Sequence, residues 1–401
     1  MTIQAIRIQP AEFSQRTEQL QQFVLADNLR GVLLFDSINI LYFTGFAFMP
    51  TERLIAYVLN AAGERAMVVP RLELEHAQAE AQIDRVVHYQ EYPGDPHPTA
   101  VLKQLLSDMD MIKAGDRLGA DLNGYPWIFG YEGATLEALT GMEFVNMQGQ
   151  LNRMQAIKSA AELALIKESC KWTHLAHMLL QRYTAVNETE TAVGLRASQE
   201  ATLIMLDTIG PLYRSQDMWN NGPSAYYRGQ IGRGAAIPHA LANNITFQPG
   251  DVLVTGAACP MWGYNSELER TMFVGEPDKR QKELFNHAKT VQEVAFETLK
   301  PGVHCCDVDS AVRAYYEEHN LMPYWRHHTG HAIGLRYHEG PFLDTGDDTI
   351  IGEGMVFTVE PGLYTPEVGG FRHSDTVVIT AGGIEILTYY PRDWTSLVIP
   401  I

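Results

Sequence analysis

This sequence lacks the long apolar runs of a membrane protein and the positive charge of a nucleic-acid-binding protein. No stretch approaches the about 18 consecutive apolar residues that a membrane-spanning helix needs. The net charge of −18 opposes binding to nucleic acid or to an anionic membrane, because both attract basic surfaces. We therefore expect a small-molecule substrate, with no nucleic acid and no membrane among the partners.

Cysteine is also scarce, with four residues in 401. Cys305 and Cys306 are adjacent, and adjacent cysteines rarely bond to each other, so no disulfide framework is expected. The N-terminal stretch has a basic residue but no apolar core behind it, so no secretory signal is visible. A cytoplasmic location is the resulting prediction. We expect Cys259 to be a buried strand residue rather than a nucleophile.

The pattern of apolar residues changes near the middle of the chain. Helix-like and strand-like runs alternate in the first part, which predicts an α/β domain over residues 1–155. No GxGxxG follows the first predicted strand, so a dinucleotide site is not expected there. Ser159 with Glu162 three residues later predicts a capped helix start. Residues 156–401 then read as α+β with a mostly antiparallel sheet.

Histidines and carboxylates concentrate in this second half. HHTGHAIGLRYHEG contains His331 and His338, VEPG contains Glu360, and FRHSD contains Arg372. Glu267 and Glu269 are two apart in a predicted strand, so both should leave the same face, about 7 Å apart. Several such segments beside Gly or Pro predict strand ends that converge on a pocket.

The order of PHALANN, GYNSELERT, HHTGHAIGLRYHE, TVEPGLY and GGFRHSDTVVIT resembles the creatinase, aminopeptidase P and prolidase family. GVLLFDSINILYFTGF and QAIKSAAELALIK resemble the N-terminal domain and connector of that family. The resemblance implies a creatinase-type N-terminal domain, a pita-bread catalytic domain and a homodimer.

The metallopeptidases of this family hold two divalent ions with two aspartates, a histidine and two glutamates. The matching positions in this chain are Gly256, Glu267, His331, Glu360 and Ser374, so three of the five depart. Glycine offers no oxygen and serine only a neutral hydroxyl, whereas a pair of hard cations needs several carboxylates. The departures predict no cofactor, with one divalent ion on Glu267, His331 and Glu360 as the alternative.

At LERT the chain resembles creatinase, the metal-free branch of the family. That likeness implies that Glu269 and Glu360 bind a cationic substrate and that His239 relays the proton. His331 and His338 are then further donors. Arg372 is expected to pair with Glu360 or Asp375, and Arg53 to contribute to substrate binding or to form a surface salt bridge. Glu267 faces the same pocket and is also expected to be a substrate-binding residue.

These assignments predict a metal-independent hydrolase, similar to creatinase, that cleaves a C–N bond of a small cationic or amidine-containing metabolite. Two alternatives stay open. One is a metal-dependent Xaa-Pro dipeptidase or aminopeptidase with an altered metal site. The other is a non-catalytic binding member of the family, because a fold does not fix a function.

Overall fold

The computed structural model describes residues 6–128 and 130–401, which form two compact units. One unit is Ile8–Met154, and the other is Gln155–Ile401 together with Ile6 and Arg7. No helix in this described part of the chain is long and apolar enough to span a membrane.

The N-terminal unit is built on a six-stranded mixed sheet in the order β4-β3-β2-β1-β5-β6. Its strands are β1 (Gly31–Leu34), β2 (Ala56–Asn60), β3 (Arg65–Pro70), β4 (Arg85–Tyr89), β5 (Arg117–Ala120) and β6 (Glu143–Asn146). The β1–β2 and β2–β3 pairs are antiparallel, and the other three pairs are parallel. Its inner strands are almost wholly apolar and buried, as expected for a sheet covered on both faces.

The helices of this unit are α1 (Pro10–Ala26), α2 (Ser37–Thr44), α3 (Leu74–Glu80), α4 (Pro98–Asp108) and α5 (Leu136–Thr140). Local chemistry fixes the ends of α2: the Asp36 carboxylate accepts hydrogen bonds from the Ile38 and Asn39 amides, and Gly45 ends the helix at φ 74°. A further helix, α6 (Gln148–Ala156), contains the division between the two units.

The C-terminal unit has an eight-stranded sheet in which all the neighbouring strands are antiparallel. Seven strands follow the order β13-β12-β14-β17-β10-β9-β7, and β18 pairs with β17. They are β7 (Ser224–Tyr226), β9 (Gly256–Ala258), β10 (Glu267–Glu269), β12 (Gly330–Ala332), β13 (Glu339–Leu343), β14 (Val356–Val359), β17 (Ser374–Thr380) and β18 (Gly383–Ile386). A three-stranded sheet consists of β8 (Val252–Val254), β11 (Thr271–Val274) and β19 (Val398–Ile399). A two-stranded sheet consists of β15 (Gly362–Thr365) and β16 (Gly369–Arg372).

Four long helices share the core of this unit with its strands: α7 (Ala160–Tyr183), α8 (Glu190–Ile209), α9 (Lys279–Thr298) and α10 (Cys305–Glu318). The predicted cap of α7 is confirmed, since the Ser159 and Glu162 side chains each bond the other residue's backbone N–H. Cys259 is buried, and all four cysteines are free thiols. The predicted fold class, an α/β unit followed by an α+β unit, is confirmed.

Candidate active site

The centre of the candidate site is strand β10, where Glu267 and Glu269 lie on one face as the alternation predicts. Both side chains are buried, with Glu267 4% and Glu269 3% exposed. The register of β10 against β17 sets Glu269 opposite Ser374, whose hydroxyl donates a 2.6 Å hydrogen bond to Glu267 Oε1. A single serine hydroxyl leaves the charge of Glu267 uncompensated.

Glu269 is compensated by Arg372. Arg372 Nη2 donates a hydrogen bond to Glu269 Oε1 at 2.7 Å, and Arg372 Nε donates one to Glu269 Oε2, so the ion pair is bidentate. Its remaining Nη1 donates to Tyr364 Oη at 3.0 Å. Arg372 Nε is also 3.8 Å from Glu360 Oε2. The predicted partners of Arg372 were Glu360 or Asp375, but Glu269 is the closest carboxylate, and Asp375 pairs with Arg270 instead.

His331 in β12 faces Glu360, which directly follows β14. The His331 Nδ1 and the carbonyl oxygen of Ala332 are 2.9 Å apart, which directs Nε2 toward the carboxylates. Nε2 lies 3.1 Å from Glu360 Oε1, yet this buried atom has no well-aligned hydrogen bond within the described residues. The ring of His338 stacks on His331, with 3.8 Å between the ring centroids.

The pKa values of these groups follow from burial and crowding. Burial, followed by the charges of Glu360 and Glu269, raises the pKa of Glu267 to about 8. Burial lowers the pKa of His331, but the contact with Glu360 outweighs it and the result is about 9. Burial raises the pKa of Glu360, but His331 and Arg372 hold it below its ordinary value. Glu267 is therefore the carboxylate whose charged form gains most from a nearby cation.

A two-ion site does not fit these residues. A Cβ added at Gly256 would lie 2.3 Å from Tyr226 Cε2, because β7 pairs with β9 in a register that sets Tyr226 opposite Gly256. The Tyr226 ring thus fills the space that an aspartate at position 256 would need. Ser374 supplies a hydroxyl that is already bonded to Glu267. Two of the four positions at which the family has a carboxylate therefore hold none in this chain.

One divalent ion does fit. Ligand atoms of Glu267, His331 and His338 lie within 4.8 Å of one another, and so do those of Glu267, Glu269 and Glu360. In the second group both oxygens of Glu269 are bonded to Arg372, so the first group is better suited to an ion. Burial and the charge of His331 lower the pKa of His338 to about 4, which keeps its imidazole neutral and able to ligate.

The sequence singles out two further residues, His239 and Arg53. His239 is exposed in the loop that precedes β8, as predicted. Arg53 belongs to the N-terminal unit, where it pairs with Glu52 and with Glu91 at 2.8 Å. The roles assigned to both residues stay predictions.

Sequence reasoning missed three residues that surround the carboxylates: Tyr226, Arg228 and Tyr337. Tyr226 Oη and Tyr337 Oη are 3.4 Å apart, and Arg228 Nη2 lies 3.5 Å from Glu269 Oε1. Burial raises the pKa of both phenols, and the charges of Glu267 and Glu269 raise it further. The signal that could have found two of them is the aromatic and glycine-rich stretch SAYYRG.

Comparison with known proteins identifies the family. Residues 164–381 match the model of metallopeptidase family M24, and residues 16–157 match that of the creatinase/prolidase N-terminal domain. The chain belongs to metallopeptidase family M24. The predicted creatinase-type domain followed by a pita-bread domain is thereby confirmed.

Several proteins that match this chain bear the names of dipeptidases. An Xaa-Pro dipeptidase of Pyrococcus furiosus is 27% identical over 380 residues, which cover 94% of this chain and 99% of the relative. The putative dipeptidase YkvY of Bacillus subtilis is 28% identical and covers 88% of this chain and 92% of its own length. The crystal structure of the prolidase from Pyrococcus horikoshii is 26% identical, with a TM-score of 0.78 over 94% of this chain and 99% of the other.

A second structure is similar in fold. The dipeptidase PepE of Mycobacterium ulcerans superposes with a TM-score of 0.81 at 24% identity, over 98% of this chain and 100% of the other. At that identity the likeness shows the fold alone.

These findings correct two predictions. The metal-independent, creatinase-like activity on a cationic metabolite is wrong, because the family is a metallopeptidase family and the relatives bear the names of dipeptidases. The prediction of no cofactor is wrong for the same reason. The LERT likeness concerns four residues, and the cation beside Glu269 is supplied by the protein itself through Arg372. The metal-dependent alternative is the better interpretation, and hydrolase is the class that the family supports.

Proposed function

We propose that this protein hydrolyses the peptide bond of short peptides, Xaa-Pro dipeptides among them, with the help of one divalent metal ion. The observation that carries the proposal is the cluster of Glu267, His331 and His338, whose ligand atoms lie within 4.8 Å of one another. The match of the chain to an Xaa-Pro dipeptidase over 94% of its length supports the same activity.

Glu267 would hold the ion with its carboxylate. His331, whose pKa is about 9 without an ion, would release a proton and bind through Nε2, since Nδ1 is directed to the Ala332 carbonyl oxygen. His338 would complete the set through its neutral ring. When bound, such an ion polarises a substrate carbonyl or lowers the pKa of water. Nitrogen and oxygen ligands together suit zinc, manganese, cobalt or iron better than magnesium or calcium.

The remaining residues bind and move protons. Glu360 stays ionised because His331 and Arg372 lower its pKa, so it can accept a proton at Oε1 from attacking water. His239, on its exposed loop, is suited to donate a proton to the leaving nitrogen. Arg372 holds Glu269 and Tyr364 in place and thereby maintains the shape of the pocket.

The test is hydrolysis of an Xaa-Pro dipeptide panel by purified protein before chelation, after chelation and after each divalent ion is restored. We expect turnover that chelation abolishes and one or more of manganese, cobalt, zinc or iron restores. Turnover that survives complete removal of metal would contradict the proposal. Dipeptide binding without turnover under all these conditions would instead favour a binding protein.

A Glu267→Gln variant and a Glu385→Gln variant make a matched pair for this assay. Glu385 is a half-exposed carboxylate that pairs with Lys167 at 2.9 Å and has no part in the site. We expect Glu267→Gln alone to lose activity.

A further inference from the structure

Arg228 is an arginine that the protein holds in an unfavourable backbone conformation beside the carboxylates. It lies two residues after β7 and has φ 53°, a left-handed value that residues other than Gly, Asn and Asp rarely adopt. Such conformations cost of order 1 kcal/mol or more and persist where the surrounding structure enforces them, often at binding sites.

A buried carboxylate enforces this conformation. Glu190, 3% exposed at the start of α8, accepts a 2.6 Å hydrogen bond from the Gly229 amide. The same carboxylate accepts hydrogen bonds from the Asn243 amide at 2.8 Å and from the Ile245 amide at 3.2 Å. Glu190 therefore fixes both the loop that carries Arg228 and the loop that carries His239.

The guanidinium of Arg228 has unused hydrogen-bonding capacity. Its Nη2 is 3.5 Å from both Gln230 Oε1 and Glu269 Oε1, at the outer limit of a hydrogen bond. Its Nε is buried and has no hydrogen-bond partner in the described part of the chain. The neighbouring Arg372, by contrast, donates through Nε, Nη1 and Nη2 to well-placed acceptors.

The charge of Arg228 is paired only loosely, with Glu269 at 3.5 Å. Both oxygens of Glu269 are already bonded to Arg372, so Arg228 is a second cation beside one carboxylate. Its side chain is 37% exposed, and its Cζ lies over the Tyr226 ring, 5.5 Å from the ring centroid, which orients the guanidinium plane. A planar guanidinium with free N–H groups is suited to a carboxylate, which it binds through two parallel hydrogen bonds.

We infer that Arg228 binds the free C-terminal carboxylate of the peptide substrate. This inference rests on the proposed peptidase function. A carboxylate oxygen of Glu267 lies within 4.8 Å of one of Glu269, which Arg228 contacts at 3.5 Å, so a substrate carboxylate at Arg228 lies a short distance from a peptide bond at Glu267. One extended residue spans about 3.5 Å, so the spacing favours very short peptides.

The test compares Ala-Pro with Ala-prolinamide, which lacks the carboxylate, as substrates of the wild type and of Arg228→Gln. We expect Arg228→Gln to lower kcat/KM for Ala-Pro about 30-fold, the usual scale for a lost hydrogen bond to a charged group, mainly through KM. The kcat/KM for Ala-prolinamide should stay unchanged. Arg233→Gln, an exposed arginine in the same loop, is the control and should match the wild type.

Calorimetric binding of both ligands to chelator-treated protein keeps the test independent of turnover. The inference is supported if the wild type binds Ala-Pro more tightly than Ala-prolinamide and Arg228→Gln binds the two equally. This result supports it even if no peptide is hydrolysed and the proposed function fails. An equal preference in wild type and variant, at unchanged melting temperature, overturns the role of Arg228 while leaving the peptidase function standing. Absence of Ala-Pro binding to the wild type overturns the role of Arg228, whereas the peptidase function is decided separately by turnover after metal is restored.

Discussion

Glu267 and Glu269 are neighbours on one strand face, yet their surroundings are opposite. Glu269 has Arg372 bonded to both oxygens and Arg228 at 3.5 Å, whereas Glu267 has a serine hydroxyl and two nearby carboxylates. The pKa of Glu267 is accordingly raised to about 8, by burial first and by those carboxylates second. One half of the site therefore favours a cation and the other half favours an anion, although a single short strand supplies both glutamates.

The largest effect is expected at Glu267, the glutamate that Arg372 does not pair with. Glu267→Gln keeps the shape of the side chain but removes its charge, and we expect kcat/KM for an Xaa-Pro dipeptide to fall about 1,000-fold or more because metal-assisted hydrolysis is lost. Steady-state kinetics with saturating metal measures this. A variant within about tenfold of the wild type would show that Glu267 does not hold the ion.

The next largest effect is expected in the free energy of unfolding, when the ion pair of Glu269 with Arg372 is broken. Arg372→Met leaves Glu269 buried without its ion-pair partner, and such changes cost about 3–5 kcal/mol in free energy of unfolding. The double variant Arg372→Met with Glu269→Leu should be more stable than Arg372→Met alone. Urea unfolding measures all three proteins.

The exposed pair of Arg71 with Glu75 is the control for that series. Arg71→Met should leave the free energy of unfolding unchanged. If Arg372→Met is equally harmless, Glu269 is not an ionised, buried partner and the contrast between the two glutamates fails.

A third change tests why the site has room for one ion. Gly256→Ala brings a Cβ to 2.3 Å from the Tyr226 ring, so we expect a loss of about 1–3 kcal/mol in free energy of unfolding. In a Tyr226→Ala background the same change should cost much less, since the ring is gone. Gly382, which has no atom within 4 Å of an added Cβ, supplies the control Gly382→Ala. Equal costs for Gly256→Ala in both backgrounds would mean that Tyr226 does not fill the position.

The smallest effect is expected at Ser374. Ser374→Ala removes the 2.6 Å hydrogen bond to Glu267 Oε1, which should lower the free energy of unfolding by about 0.5–1.5 kcal/mol. Thermal and urea unfolding at one pH measure it. Ser310→Ala, which removes an exposed hydroxyl bonded within α10, should cause no comparable loss. A stability equal to that of the wild type for Ser374→Ala would show that the bond contributes little.

The sequence predicted the parts of the site that depend on local geometry. Alternation along a strand placed Glu267 and Glu269 on one face, and the capping pattern placed the start of α7 at Ser159. The pattern of apolar residues predicted an α/β part followed by an α+β part, and five motifs in the order of a known family predicted the pita-bread domain.

The remainder depends on pairing between distant segments. Arg372 contacts Glu269 across 103 residues of sequence, and Tyr226 fills the space beside Gly256 only because β7 pairs with β9. Neither contact can be inferred from residue spacing. Counting lost ligands position by position also left out His338 as a possible ligand, although its ring stacks on His331 and its ligand atom lies within 4.8 Å of those of Glu267 and His331. The metal-free prediction is wrong because the chain belongs to a metallopeptidase family.

The measurement that tests the account most directly is a calorimetric titration of chelator-treated protein with Mn²⁺ or Zn²⁺, with the bound metal counted by elemental analysis. We predict one tightly bound ion per chain in the wild type and in Glu385→Gln, and its loss in Glu267→Gln. Two tightly bound ions per chain, or one ion that survives in Glu267→Gln, would contradict the account.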